Sequence, residues 1–276
     1  MLTVETCQTI QQAAGVLGGR SRYLAGGTLV MRAVNDGDQS FDHIVRSTDP
    51  ALKQVRTEGS RVRIGAGCTM ADLLASRDAE FLMPVARLVG GPAIRNMATL
   101  GGNLFAPHPY GDLTTALLAL DGMVHLADGA DQPLDTFLAA REQARGLVAA
   151  VSVTRPSGDD FRFRKVSRVK PKGVSVMSIA MWLPRPGGRV SGARVAFGAM
   201  GPTPLRAGAV ERALEGASLD AAGIAPALAV ATDGLSPPDD ALASSWYRRE
   251  VAPVHLRRTL LGEGRTGWPR HRSASP

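Results

Sequence analysis

Two glycine turns, about seventy residues apart, constrain this chain most: Leu24-Ala25-Gly26-Gly27-Thr28 and Thr99-Leu100-Gly101-Gly102-Asn103. Glycine has no Cβ and tolerates positive φ, so each turn lets backbone approach a phosphate where a side chain would obstruct it. Two such turns in one domain could grip a pyrophosphate from both sides. Either one alone reads equally well as an ordinary turn among the chain's 31 glycines.

The pattern around the turns is α+β. Thr9 reads as a helix N-cap and Gln12 completes a capping box. Ile10, Ala13, Ala14 and Leu17 then share one face before Gly18-Gly19 closes the helix. This puts Tyr23 and Leu24 on a strand running into the first glycine turn, and a helix over 29–33 would aim its N-terminal amides at a phosphate. Residues 62–64 alternate as a strand, Thr69 caps a helix carrying Met70, Leu73 and Leu74, and Pro84 suits the first turn of a helix over 85–89. Strands at 124–127 and 146–153 flank a helix near 134–140. No Rossmann fingerprint opens a βαβ unit here. A polar turn at Pro156-Ser157-Gly158-Asp159-Asp160 then divides the chain into domains 1–155 and 156–263. The second reads as a three-stranded sheet (161–164, 174–183, 189–197) backed by helices at 207–215, 221–231 and 248–261. Pro253 predicts a kink or a late start in the last helix. The Arg/Ser/Pro-rich tail 264–276 reads as disordered.

After the second turn come Ala106-Pro107-His108-Pro109-Tyr110-Gly111-Asp112-Leu113 and an apolar helical pattern at Leu113, Ala116, Leu117 and Leu120; before it stands Gly91-Pro92-Ala93-Ile94-Arg95-Asn96-Met97-Ala98. This order resembles the flavin-binding medium subunit of the molybdenum hydroxylases, the carbon monoxide dehydrogenase-like and xanthine dehydrogenase-like enzymes. Ile64-Gly65-Ala66-Gly67-Cys68-Thr69-Met70-Ala71-Asp72-Leu73-Leu74 is similar to the family's strand, turn and helix between the glycine loops. Ala196-Phe197-Gly198-Ala199-Met200-Gly201-Pro202-Thr203-Pro204-Leu205-Arg206-Ala207 and Ser245-Trp246-Tyr247-Arg248-Arg249 resemble its C-terminal strand and helix and the start of its last helix.

The resemblance implies a two-lobed FAD-binding domain of the vanillyl-alcohol-oxidase-like type, followed by a smaller α+β domain. FAD would bind noncovalently, its pyrophosphate between the turns. Gly26, Gly27, Gly101 and Gly102 would offer amides, and Thr28, Thr99 and Asn103 side-chain donors. Ala25, Leu29, Val30, Ile94 and Ala98 would complete the two walls, and Leu147 and Val148 would touch the ring system. Asp112 matches an acidic residue near the adenosine and ribitol part, although it reads equally as a helix N-cap. Either Arg164 or Lys165 would bring positive charge to the ring, with Arg168 on the same strand; such a charge stabilises an anionic reduced flavin. Lys165 is the residue carried forward. His108 lies close enough to this cofactor to contact it, whereas His43, His125, His255 and His271 show no convergent partners. The chain departs from the family at Leu29, where a polar or acidic residue is usual, and at Val169-Lys170-Pro171-Lys172-Gly173-Val174-Ser175, which replaces an acidic segment.

Composition narrows the remaining functions. The formal charge is +7, but the basic residues are scattered and aromatics make up only 5%, too few for nucleic-acid stacking platforms. No apolar run approaches the roughly 20 residues of a membrane span, and no basic stretch leads into an apolar one at the start. Cytoplasmic location is therefore the default expectation. Cys7 and Cys68 cannot supply four cluster ligands, so a molybdenum cofactor and [2Fe–2S] clusters would sit on partner chains, a large and a small subunit. Two such heterotrimers could pair. The resemblance implies an electron-transfer subunit that takes electrons from the clusters and passes them to an external acceptor. The alternatives are a self-contained FAD-dependent oxidase, for which the second domain is small and poor in His and aromatics, and a flavin-free scaffold, against which both glycine turns argue.

Overall fold

The computed structural model describes residues 2–142, 146–169 and 173–263, and it builds three sheets. The first lobe is a three-stranded parallel sheet of β1 (Thr3–Cys7), β2 (Ser21–Tyr23) and β3 (His43–Ser47) in the order β1-β3-β2. Its first helix, Ile10–Val16, carries the expected Thr9/Gln12 capping box and buries Ile10 and Ala13. The second lobe holds β4 (Val55–Glu58), β5 (Arg61–Gly65), β6 (Met123–Leu126), β7 (Asp131–Pro133) and β8 (Val148–Thr154), antiparallel in the order β4-β5-β8-β6-β7. Its sheet packs on Met70–Ala75, capped by Thr69 as expected, and on Leu134–Ala140.

The C-terminal sheet differs from expectation by one strand. Besides β9 (Phe161–Ser167), β10 (Ser175–Trp182) and β11 (Arg194–Gly198) it has an edge strand, β12 (Leu205–Arg206), paired with β11 through Phe197 and Ala196. A strand of two residues is too short for a period-2 pattern to register in the sequence. The last helix also differs. It starts at Ser245, earlier than expected, with the Ser244 hydroxyl accepting the Tyr247 N–H at 3.1 Å, and it runs through Pro253 to Leu260 as one element. Burial of Ala252, Leu256 and Leu260 in the second core offsets the cost of an interior proline, about 3 kcal/mol. The helices expected at 29–33, 85–89 and 221–231 form as Val30–Asn35, Met83–Ala86 and Ala225–Ala229.

One helix joins the two domains. Every residue of Asp112–Ala119 is buried, and the helix packs against β10 and β11 while also belonging to the core of the second lobe. A Cβ on Gly198 of β11 would lie 2.4 Å from the Thr115 hydroxyl, so this close approach requires glycine there. The N-terminal end of the helix, at Asp112, faces the space between the lobes.

Candidate functional site: a cleft between the lobes

The carboxyl ends of the parallel strands β2 and β3 open onto a cleft of about 1340 Å³, closed by the second lobe on one side and by β9 and β10 at its inner end. Ligands of open parallel sheets bind outside such strand ends. The volume exceeds the roughly 300–1,000 Å³ of a drug-sized pocket and suits an extended dinucleotide. All sixteen residues singled out in the sequence line it: Ala25, Gly26, Gly27, Thr28, Leu29, Val30, Ile94, Ala98, Thr99, Gly101, Gly102, Asn103, Asp112, Leu147, Val148 and Lys165.

The two glycine turns meet in this cleft but differ in their free valences. Leu24 N–H is tied to Val45 C=O at 2.8 Å. The next five amides, residues 25–29, have no acceptor among the described residues, and Gly27 sits at φ +81°. A Cβ on Gly26 would fall 1.6 Å from the carbonyl oxygen of Met97, so its glycine lets the first turn close directly on the approach to the second. The second turn is already satisfied. Leu100 N–H donates to Cys68 C=O and Gly101 N–H to Ala66 C=O, both at 2.8 Å; Gly102 N–H donates to Thr99 Oγ1 at 3.1 Å and Asn103 N–H to Thr99 C=O at 3.0 Å. The expectation that Gly101 and Gly102 offer amides to a phosphate is therefore corrected, because the Gly101 amide anchors the turn to the loop after β5 and the Gly102 amide is taken by the Thr99 cap. Asn103 still has its Nδ2 donor, since only its Oδ1 is engaged, by Thr114 N–H at 2.9 Å and by the Thr114 hydroxyl.

At the inner end, Lys165 and Asp112 form a buried ion pair with Nζ–Oδ2 2.9 Å, and the Ser175 hydroxyl donates to Asp112 Oδ1 at 2.7 Å. Asp112 is thus not the helix N-cap; Gly111, at φ +107°, holds that position, and the carboxylate turns to Lys165 and Ser175. Adjacent residues on a strand face opposite sides. Arg164 consequently leaves the cleft, donating to Thr259 Oγ1 at 2.9 Å and to the carbonyls of Arg258 and Glu263, and Lys165 is the cation that enters it.

The histidines are placed differently from expectation. His108 is not among the cleft-lining residues; its Nε2 meets Asp240 Oδ2 at 2.7 Å. Burial raises the Asp240 carboxyl, but hydrogen bonds from His108, from the Ala243 and Leu242 amides and from Arg248 outweigh it and hold the group well below the usual carboxylate range. His125 does have convergent partners, Asp131 Oδ1 at 2.6 Å and Ser152 Oγ at 3.0 Å. That order is Ser-His-Asp, yet Ser152 is buried within the sheet and none of the three lines the cleft. His43 pairs with Glu5 at 3.4 Å on the first sheet.

Sequence reasoning missed Arg22, Tyr23, Arg46, Ser47 and Thr48, which line the cleft from the same strand ends, and Ser175 beneath Asp112. Position at or just past the carboxyl end of a strand was the available signal for the first five; nothing in the sequence gave Ser175 a role. Arg22, Arg32, Arg46, Lys53, Arg141 and Lys165 outnumber Asp49, Asp112 and Glu142 along the lining, which favours an anionic ligand. Burial pushes the Tyr23 hydroxyl up to about 12, so it stays a neutral donor. The departing segment at Lys170, Pro171 and Lys172, and the tail from 264, lie outside the described residues. Among the described residues no group of His, Cys, Asp and Glu could hold a metal ion, and no helix is long and apolar enough to cross a membrane.

A two-lobed domain with a glycine-lined, predominantly basic cleft, closed by a smaller α+β domain, has the room and the charge for an anionic dinucleotide. The family described as the FAD binding domain in molybdopterin dehydrogenase matches residues 2–155, and that described as the CO dehydrogenase flavoprotein C-terminal domain matches residues 162–262. The chain belongs to the FAD-binding medium subunits of the molybdenum hydroxylases, and is an oxidoreductase subunit. It is 27% identical to the glyceraldehyde dehydrogenase medium chain of Sulfolobus acidocaldarius, over 90% of this chain and 92% of that one. It is 28% identical to the carbon monoxide dehydrogenase medium chain of Afipia carboxidovorans, over 88% and 89%. A carbon monoxide dehydrogenase structure from Hydrogenophaga pseudoflava, lacking the Mo-pyranopterin moiety of its cofactor, shares the fold with a TM-score of 0.84 at 24% identity, covering 94% of this chain and 96% of that one.

Proposed function

We propose that the cleft holds one noncovalent FAD and that the chain serves as the flavin electron-transfer subunit of a cytoplasmic heterotrimer. In it a large subunit carries the molybdenum cofactor and hydroxylates the substrate, and a small subunit carries two [2Fe–2S] clusters. The observation that carries the cofactor reading is the run of five unengaged amides at residues 25–29, held against the second turn by Gly26. The pyrophosphate takes those amides together with the Thr28 and Thr99 hydroxyls and Asn103 Nδ2; Ala25, Leu29, Val30, Ile94 and Ala98 pack around it. Gly101 and Gly102 serve by close packing, leaving the second wall flush. Leu147 and Val148, buried on β8 and its approach, form the apolar floor for the ring, and Lys165 lies at its polar edge. Bound FAD supplies the acceptance of two electrons from one-electron donors and their delivery to an external acceptor. The chain's residues orient the cofactor and shield it, and substrate never meets them.

The division of labour follows the domains: residues 1–155 bind the cofactor, and 156–263 close its inner end and brace the interface. The purified chain is expected to show a flavin spectrum near one FAD per chain. Acid precipitation is expected to release the yellow chromophore to the supernatant; a chromophore that stays with the pellet refutes the noncovalent reading. A colourless chain that does not take up added FAD refutes the cofactor reading. Co-purification is expected to bring down an iron–sulfur chain and a molybdenum chain, with only slow, nonspecific diaphorase activity from the chain alone. Robust substrate oxidation by the isolated chain overturns the subunit assignment.

A further inference from the structure

Lys165 is more tightly held than a side chain that simply offers charge to a ligand. Its Nζ donates to the Leu88 carbonyl and forms an ion pair with Asp112 Oδ2, both at 2.9 Å. An ammonium has three N–H donors, so the Leu88 carbonyl does not exhaust them, and the residue lines the cleft. The two charged side chains are only 7% and 8% exposed, and Ser175, which holds the other carboxylate oxygen, is 2% exposed. Little water screens this pair. At such a distance opposite charges in a buried site interact strongly, and a neighbour a few ångströms away meets a dipole in place of a full positive charge.

We propose that Asp112 is a positioning and charge-damping partner of Lys165. With Ser175 it fixes the ammonium so that one N–H is aimed at the flavin, and its carboxylate cancels most of the field that Lys165 would otherwise impose there. The site thereby keeps the flavin's reduction potential below the value an unpaired lysine would set. This rests on FAD occupying the cleft with its ring beside Lys165. It gives Asp112 a role that acts through Lys165, in place of a contact to the adenosine or ribitol part.

The test uses the full chain loaded with FAD and reads the midpoint potential by dye-equilibrated titration and the affinity for sulfite, whose adduct places negative charge on the ring. In Asp112→Asn the potential is expected to move positive and sulfite to bind about tenfold tighter or more, because the counter-charge is gone while the shape is kept. Lys165→Met is expected to move both the opposite way. In the double variant the effect of Asp112→Asn is expected to be smaller than in the unaltered chain, because the part that acts by positioning the ammonium is gone. Ser175→Ala is expected to give a smaller shift in the direction of Asp112→Asn.

An Asp112→Asn chain with unchanged potential and sulfite affinity overturns the proposal, and so does a shift that persists undiminished beside Lys165→Met. Loss of FAD from Asp112→Asn while Lys165→Met retains it makes Asp112 a direct cofactor contact and overturns it too. Should Asp112→Asn show no melting transition, Ser175→Ala decides: a positive shift supports the damping role and no shift rejects it. Retention in the unaltered chain is measured first, so an unaltered chain that binds no FAD overturns the cofactor reading itself, a failure distinct from those above.

Discussion

The first and second glycine turns read alike in the sequence and do different work in the fold. Residues 25–29 carry five amides with no acceptor among the described residues, whereas the amides of Leu100, Gly101, Gly102 and Asn103 are all spent on Cys68, Ala66 and Thr99. The first turn leaves β2, an edge strand whose pairing with β3 ends at Val45, so no strand takes its donors. The second lies alongside the loop after β5, which takes the Leu100 and Gly101 amides while Thr99 takes the next two, with a bridge between Thr69 and Thr99. A glycine pair therefore reports close backbone approach, and what approaches is decided by the neighbouring element. In one turn it is a ligand space; in the other it is Ala66.

The sharpest way to break this contrast is Gly26→Ala. A Cβ placed 1.6 Å from the Met97 carbonyl cannot be accommodated without moving one turn off the other, and overpacking of this kind costs about 1–3 kcal/mol or more. The variant is expected to lose FAD entirely, read as the ratio of flavin to protein absorbance, with a lowered Tm. Retention of FAD at the unaltered ratio would mean that the contact between the turns does not shape the site.

Next in size, Gly101→Val is expected to act on stability first, because even a Cβ there meets the Ala66 Cβ at 3.0 Å and its carbonyl oxygen at 3.1 Å. The Tm of the FAD-free chain should fall, and FAD affinity should fall only in proportion. Gly27→Ala should invert that signature. At φ +81° an alanine is strained by about 1–2 kcal/mol, with space only for modest contact with Met31 and Leu24. Its effect should concentrate on FAD dissociation, with the Tm of the FAD-free chain lowered less than in Gly101→Val. If both variants show the same balance of stability and affinity, the two turns are equivalent and the contrast fails.

The smallest effect is expected for Thr99→Val. It removes the cap that accepts the Gly102 N–H and one hydroxyl from the cleft, for about 0.5–2 kcal/mol of stability. A second substitution, Thr28→Val, removes a hydroxyl with no cap role. Isothermal titration of FAD into each chain separates them: Thr28→Val should weaken binding without lowering the Tm, and equal losses of Tm would show that Thr28 is structural.

By itself the sequence determined the elements whose signals are local: the Thr9/Gln12 capping box, the Thr69 cap and the helix Leu134–Ala140. These depend on hydrogen bonds and periodicities within a few residues, and the order of the motifs carried the family with them. Only the tertiary structure decided which donors and charges remained available. Asp112 could be a cap or a cleft residue until Lys165 and Ser175, from beyond the domain junction, claimed its carboxylate. Arg164 and Lys165 were equivalent until the last helix took one of them. The Gly101 amide of the second turn was indistinguishable from those of the first until Ala66, in the loop after β5, accepted it. Each of these outcomes turns on a partner tens of residues away in sequence, and no local pattern encodes which partner a donor or a charge will meet.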